Sequence, residues 1–259
     1  MTAPTYRRFV ALGDSFTEGL GDHDPTRPNG CRGWADRVAE VLAVRTDEFG
    51  YANLAIRGRK LLGVVEEQVE PALALEPDLV TLYAGANDIL RPSVDLDALV
   101  ARYADAVGRL AATGAQVVLF TAFDPGATRV YRPVRGRFAL YNELVREVAD
   151  DHGTLLVDFW RIRDHRDQRL WDVDRMHMGP LGHHRVAIEV LDVLGVEHAL
   201  VPEVLPDPEP LARAARLRAD LAWSRDHLLP WVHRRVTGRS SGDTINPRHP
   251  SYAQPGAVE

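Results

Sequence analysis

The sequence predicts an α/β protein, a three-layer α/β/α sandwich around a five-stranded parallel sheet, followed by a carboxyl-terminal helical extension. Three observations carry that prediction. Short apolar runs at residues 9–12, 51–55, 79–84, 116–123 and 154–159 read as strands. The segments between them repeat apolar residues at helical spacing, and parallel strands need such crossovers, with helices on both faces of the sheet. The makeup is that of an ordinary globular chain, 45% hydrophobic and 26% charged over 259 residues, which suits one catalytic-sized domain with an appendage.

In chain order, the first strand, 9–12, runs directly into Gly13-Asp14-Ser15. That turn puts the Ser15 hydroxyl at the carboxyl end of a strand, where open α/β sheets place their ligand crevice. A helix over 34–44 leads to the strand at 51–55, which is followed by Arg57-Gly58, and a second helix begins near Leu61. The strand at 79–84 ends in Gly85-Ala86-Asn87-Asp88. The helix at 96–112 is stopped by Gly114 and the helix at 138–149 by Gly153, each at the position where a left-handed cap costs glycine least. After the last strand, Asp174-Arg175-Met176-His177 precedes a final helix of the domain. Beyond Val204 the Pro-Asp-Pro-Glu-Pro segment reads as a stiff lead-in and 211–236 as a long amphipathic helix. The remainder is rich in Ser, Gly, Asn and Pro and poor in apolar residues, so a flexible tail is expected. The expected division is therefore 1–204 for the domain, 205–236 for the helical extension and 237–259 for the tail.

Composition narrows the function. A formal net charge of -6 argues against a nucleic-acid partner. The single cysteine, Cys31, cannot form an internal disulfide and suits a reducing compartment. The first eight residues lack the apolar stretch of a signal peptide, and no run reaches the roughly 18 apolar residues a membrane span needs, so the cytoplasm is the expected location. His23, His152 and His165 show no metal-ligand spacing, and no metal or other cofactor is expected.

Four short blocks occur in order, each ending an apolar run or opening a helix: Gly13-Asp14-Ser15, Gly58 after the second strand, Asn87 in Gly85-Ala86-Asn87-Asp88, and Asp174 three residues before His177. Singly, each has an ordinary structural reading: Ser15 as a helix cap, Gly58 as a turn glycine, Asn87-Asp88 as an Asx turn and Asp174 as a solvated loop charge. Together, over residues 7 to about 195, the set resembles the SGNH, or GDSL, serine hydrolases. The resemblance implies a flavodoxin-like sandwich and a cofactor-independent esterase.

A serine hydroxyl is a poor nucleophile at neutral pH and needs an adjacent base. His177 is the candidate base, and Asp174 is the carboxylate that would orient it and stabilise its charged form. The resemblance assigns three oxyanion donors: the backbone N–H groups of Ser15 and Gly58 and the side-chain amide of Asn87, a neutral group that does not titrate. His183 and His184 follow closely; His183 is expected to pack at a helix start and His184 to face solvent. Asp14 is expected to hold its turn by accepting backbone N–H bonds, with a similar supporting role for Asp88.

Departures from the family pattern bear on substrate. Arg57, Arg59 and Lys60 surround Gly58 where small residues are usual, a cationic flank that would attract an anionic substrate or simply be solvated. The loops at 21–33 and 124–136 are the expected substrate walls. They hold no long apolar stretch, which favours short-chain or acetyl esters over long-chain lipids. The expected function is hydrolysis of a small-molecule carboxylic ester through an acyl-enzyme. A thioesterase or acyltransferase with the same triad remains open, as does a non-catalytic binding protein, or self-association, through the carboxyl-terminal helix, where Trp223 and Trp231 lie two turns apart near Arg213, Arg216 and Arg218.

Overall fold

The first strand, β1 (Arg8–Gly13), is buried at every residue from Phe9 onward, because it lies in the middle of a sheet covered on both faces. The computed structural model describes residues 4–127, 131–207, 212–237 and 240–255. The other strands are β2 (Gly50–Asn53), β3 (Leu79–Tyr83), β4 (Gln116–Phe120), β5 (Leu155–Val157) and β6 (His249–Ala253), in the spatial order β5-β4-β3-β1-β2-β6. The first five are parallel, in the doubly wound order whose switch point lies between β1 and β3. Ser15 follows β1 and Asn87 follows β3, so the two sit across that crevice.

Alternation along each strand feeds two cores. Val10, Leu12, Val80 and Leu82 pack on one face against α3 (Leu61–Ala74), α5 (Leu96–Ala111) and α6 (Arg135–His152). Phe9, Ala11, Leu79 and Phe120 pack on the other, against α2 (Gly33–Ala43) and α7 (Pro180–Val193). Two short helices, α1 (Ser15–Glu18) and α4 (Ala86–Ile89), follow β1 and β3 directly. The helices expected from periodicity are present, and α6 ends as expected on Gly153 in the left-handed conformation.

The tail differs from the expected flexible segment. Residues 249–253 form β6, antiparallel to β2, so the sheet has six strands rather than five. The anchor is Arg248, which is 4% exposed and donates to both carboxylate oxygens of Asp36 (3.0 and 2.6 Å) and to the carbonyls of Glu18, Pro28 and Arg32. Tyr252 adds a bond to the Leu75 carbonyl and Gln254 one to that of Phe49. The strand His-Pro-Ser-Tyr-Ala has neither an apolar run nor alternation, and Pro250 is tolerated because the strand is at the sheet edge. What holds it is a buried ion pair and backbone pairing, which periodicity does not register.

The extension is helical as expected. It comprises α8 (Arg213–Trp223), a π-helical stretch (Ser224–Leu228) and α9 (Leu229–Val236). Pro230, which lacks an N–H, stands at the start of α9, where the wider turn absorbs the missing bond. Residues 208–211, which include part of the expected lead-in, lie outside the described residues. No helix among the described residues is long and apolar enough to cross a membrane.

Candidate active site

Ser15 is the first residue of α1, half-buried at the end of β1. The sharp turn is fixed from two sides. Gly13 has φ +152°, and a Cβ there would stand 2.5 Å from the Tyr83 carbonyl oxygen, so only glycine fits. Its N–H donates to Gln68 Oε1 (2.8 Å), and Gln68 Nε2 donates to its carbonyl (2.9 Å), which clamps the strand end to α3. Asp14 caps α1 by accepting from the Phe16 N–H (3.1 Å), the supporting role expected of it.

Burial, the largest influence, pushes the Asp14 carboxyl up to about 7, against the opposing pull of the Phe16 N–H and the charge of His177. An acid whose pKa is raised by folding costs no stability below its unfolded pKa. The cost grows from about pH 4 to pH 7 and is constant above that, on the order of 4 kcal/mol for a shift of this size. The isosteric Asp14→Asn change keeps the cap acceptor. It is expected to improve stability relative to wild type by several kcal/mol more at about pH 8 than at about pH 4, as read by urea unfolding at the two pH values.

Asp174 and His177 face each other on the loop before α7. His177 Nδ1 lies 2.6 Å from Asp174 Oδ2, while Asp174 Oδ1 accepts the N–H groups of Met176 (2.8 Å) and His177 (3.0 Å). Burial of Asp174 would raise its pKa, but the hydrogen bond and charge of His177 and the two N–H groups outweigh it and hold the carboxylate at about 2. Arg175, between them, has φ +54°, a left-handed conformation strained for a long side chain. The extension holds this loop: Arg175 pairs with Asp220 (2.7 Å) and lies over the Trp223 ring, and Trp223 Nε1 donates to the Asp174 carbonyl (2.8 Å).

His183 is placed elsewhere. Its Nδ1 accepts the Trp34 N–H (3.2 Å) and its Nε2 meets the Leu20 carbonyl (3.2 Å), which fixes a neutral ring between α7 and α2. Burial is the main reason its pKa falls to about 4. His184 bonds the Val201 carbonyl (2.9 Å) rather than standing free in solvent.

Gly58 takes φ +76°, and a Cβ there would collide with Ser240 Oγ at 2.1 Å. Its turn is set by Glu18, a fully buried carboxylate that accepts from the Arg57 N–H (2.6 Å) and guanidinium (Nε, 2.9 Å). Neither the Ser15 nor the Gly58 N–H donates to a described protein group. Asn87 Nδ2 donates to Asp14 Oδ2 (3.1 Å) and to the Arg59 carbonyl (3.0 Å), so both amide protons are engaged. Asp88 accepts the Leu61 N–H (2.9 Å), the support expected of it.

Ser15, Asn87 and His177 line one pocket. Its inner lobe, about 100 Å³, is walled by aromatic and thioether groups, among them Phe16, Tyr83, Phe123, Phe159, Trp171 and Met178. The loop at 124–136 contributes Tyr131, as expected; residues 128–130 fall outside the described residues. The loop at 21–33 contributes nothing to the pocket. It is tied down instead by Asp22, which takes the Gly33 N–H and pairs with Arg37. Trp231 of α9 takes that place, with its ring near that of Tyr131. Trp223 and Trp231 thus pack on the chain's own site, where the sequence left open an external docking face. Glu18, Gln68, Trp231 and Arg248 are the site-building residues that sequence reasoning missed. Only Glu18, an acidic residue next to the Gly13-Asp14-Ser15 turn, left a local signal.

Residues 11–185 match the model of a family described as GDSL-like Lipase/Acylhydrolase. A search of curated proteins finds no match. Among solved structures, the chain is similar to LAE5, an α/β hydrolase enzyme from the metagenome of Lake Arreo, Spain, at 24% identity and a TM-score of 0.63, covering 76% of this chain and 99% of that one. A catalytic mutant of Axe2, an acetylxylan esterase from Geobacillus stearothermophilus, gives 22% identity and a TM-score of 0.64, covering 76% and 98%. TesA gives 24% and 0.58, covering 72% and 97%. At these identities the likeness is one of fold.

Proposed function

The chain belongs to the GDSL-like lipase/acylhydrolase family, and from that premise we propose that it hydrolyses short-chain carboxylic esters through an acyl-enzyme on Ser15, with His177 as base and Asp174 as its partner. The observation that carries the reading is the 2.6 Å contact of His177 Nδ1 with Asp174, on a histidine that lines one pocket with Ser15. With Nδ1–H donated to Asp174, the Nε2 lone pair is left to accept the Ser15 proton as Oγ attacks the ester carbonyl.

Attack places a negative charge on the carbonyl oxygen. The N–H groups of Ser15 and Gly58, which donate to no described protein group, are suited to receive it, each such donor being worth about 10²- to 10³-fold in rate. Asn87 joins them by releasing or sharing one of its two present acceptors. Asp14 is the acceptor to yield, because a carboxyl that gains a proton near neutrality holds the amide less strongly. The imidazolium then protonates the departing alcohol, and in the second half His177 activates water to release the acid.

Acyl size follows from the inner lobe. Its 100 Å³ is less than the roughly 150 Å³ cavity that admits benzene in an engineered core, which favours acetyl to butyryl groups. Acetyl esters are also the substrates named for the Axe2 neighbour. Turnover of p-nitrophenyl acetate and butyrate should exceed that of the octanoate in kcat/KM by tenfold or more. Preference for octanoate would overturn the short-chain assignment, and no ester turnover by folded protein would overturn the hydrolase reading.

The extension enters the same chemistry through Asp174. Trp223→Phe keeps the ring beside Arg175 and removes only the donor to the Asp174 carbonyl. A hydrogen bond of about 1 kcal/mol predicts a kcat lowered roughly fivefold with KM nearly constant. An unchanged kcat would show that the loop holds its geometry without this bond.

A further inference from the structure

Beyond the aromatic lobe, the pocket opens into a second lobe that shares Ser15, Asn87, His177 and Trp231 with the first. Its wall carries Arg57, Lys60, Arg91 and Arg234, with the hydroxyls of Ser240 and Ser241. Arg57 is neutralised by Glu18, at 2.9 Å from its Nε. The other three cations have no carboxylate partner among the described residues. Lys60 and Arg234 are exposed, and half-buried Arg91 donates to the Asn87 carbonyl. The neighbouring acids are committed elsewhere: Asp243 accepts the Ser240 N–H and faces Arg59, and Asp14 lies buried behind Asn87.

Three cations with no carboxylate partner among the described residues share one wall of this pocket, in a chain whose formal net charge is -6. Like charges repel, so the arrangement raises the free energy of the empty site and is relieved when an anion enters. We infer that the substrate carries an anionic group, a carboxylate or a phosphate, on its alcohol portion, bound by Lys60, Arg91 and Arg234 while the short acyl group occupies the aromatic lobe. The inference rests on the ester-hydrolase reading and deepens it. The alcohol side is assigned because the inner lobe is apolar and small, and a charged acyl group would be desolvated there without a partner. Arg91 and Arg234 supply planar forks suited to carboxylate or phosphate oxygens, and Lys60 a point charge.

The test compares 4-acetoxybenzoate with its neutral methyl ester, which share the acetyl group and the aryl leaving group. The expected kcat/KM for the anionic ester exceeds that for the neutral one by tenfold or more at low ionic strength. Raising salt to about 0.5 M should erode that ratio, since the site is open to screening. In the double variant Lys60→Gln, Arg234→Gln, both at exposed positions, the ratio should fall about tenfold. Equal kcat/KM for the two esters in wild type, or a ratio unmoved by the double variant, would overturn the inference while leaving ester hydrolysis established. Titration of Ser15→Ala protein with both compounds by calorimetry separates the other case. Preferential binding of the anion, with no turnover of either ester by wild type, would support the cationic wall and overturn the hydrolase reading. 4-Acetoxyphenyl phosphate in place of the benzoate, set against the same neutral ester, distinguishes the phosphate source by the larger of the two ratios.

Discussion

Ser15→Ala is expected to lower kcat for p-nitrophenyl acetate by roughly 10⁴- to 10⁶-fold, the loss seen when a serine nucleophile acting with a histidine is deleted. KM and thermal stability should change little. The hydroxyl is half-buried at the first position of α1, where alanine is a good helix former and the cap comes from Asp14, not from Ser15. The loss should therefore appear in the chemical step alone. His177→Ala is expected to cause a similar loss, and the double variant no more than either single one, because the two groups act as a unit. A Ser15→Ala protein that retained a tenth of the activity would show that another group carries the reaction.

Arg248→Ala is expected to cost about 3–5 kcal/mol in urea unfolding, the penalty for removing one partner of a buried ion pair. The Arg248 and Asp36 side chains are 0% and 1% exposed, and without the guanidinium the carboxylate would keep the Tyr51 hydroxyl at 2.9 Å and Arg27 no nearer than 4.0 Å. Burial already pushes the Asp36 carboxyl up, against the pull of Arg248, so the charge depends on its partner. Arg248→Lys should recover only part of the loss, since an ammonium cannot reach both Asp36 oxygens and three carbonyls at once. Because the Glu18 carbonyl is one of those acceptors, the variant should also lower activity before it lowers the melting temperature to the assay range. Removal of residues 237–259 should reproduce the same destabilisation. Wild-type stability in either protein would mean that the sixth strand adds nothing to the fold.

Where the sequence was legible, the physics was local. Strands such as Leu79–Tyr83 are nearly continuous apolar runs, broken only by Thr81, because parallel strands are buried on both faces, and α5 shows its face because every third or fourth residue is apolar. The four blocks stood out through their order, which resembles a family pattern, while turn chemistry alone explains only parts of them: glycine at 13 and 58 for backbone reasons, and Asp174 within three residues of His177 so that both share one loop. What was not legible depends on partners distant in the chain. Arg248 meets Asp36 across more than two hundred residues, and Trp223 reaches Asp174 across forty-nine. Arg248 belongs to no periodic pattern, and the helical spacing of Trp223 and Trp231 marks a face without showing what that face meets. The pocket wall was misassigned for the same reason: the loop at 21–33 is near Ser15 in sequence, whereas Trp231 reaches the pocket only by packing of the extension. The double commitment of the Asn87 amide to Asp14 and Arg59 is likewise a property of the assembled site.

In the proposed reaction Ser15 carries the acyl group. The most direct measurement is peptide-resolved mass spectrometry of protein quenched in acid during turnover of p-nitrophenyl acetate, with Ser15→Ala and His177→Ala proteins alongside. An acyl-enzyme on Ser15 predicts an acetyl group on the peptide containing Ser15 in wild type, formed with a burst of p-nitrophenol, absent from the Ser15→Ala protein and strongly slowed in the His177→Ala protein. Steady hydrolysis with no adduct at Ser15, or an adduct on another residue that survives the Ser15→Ala change, would contradict it.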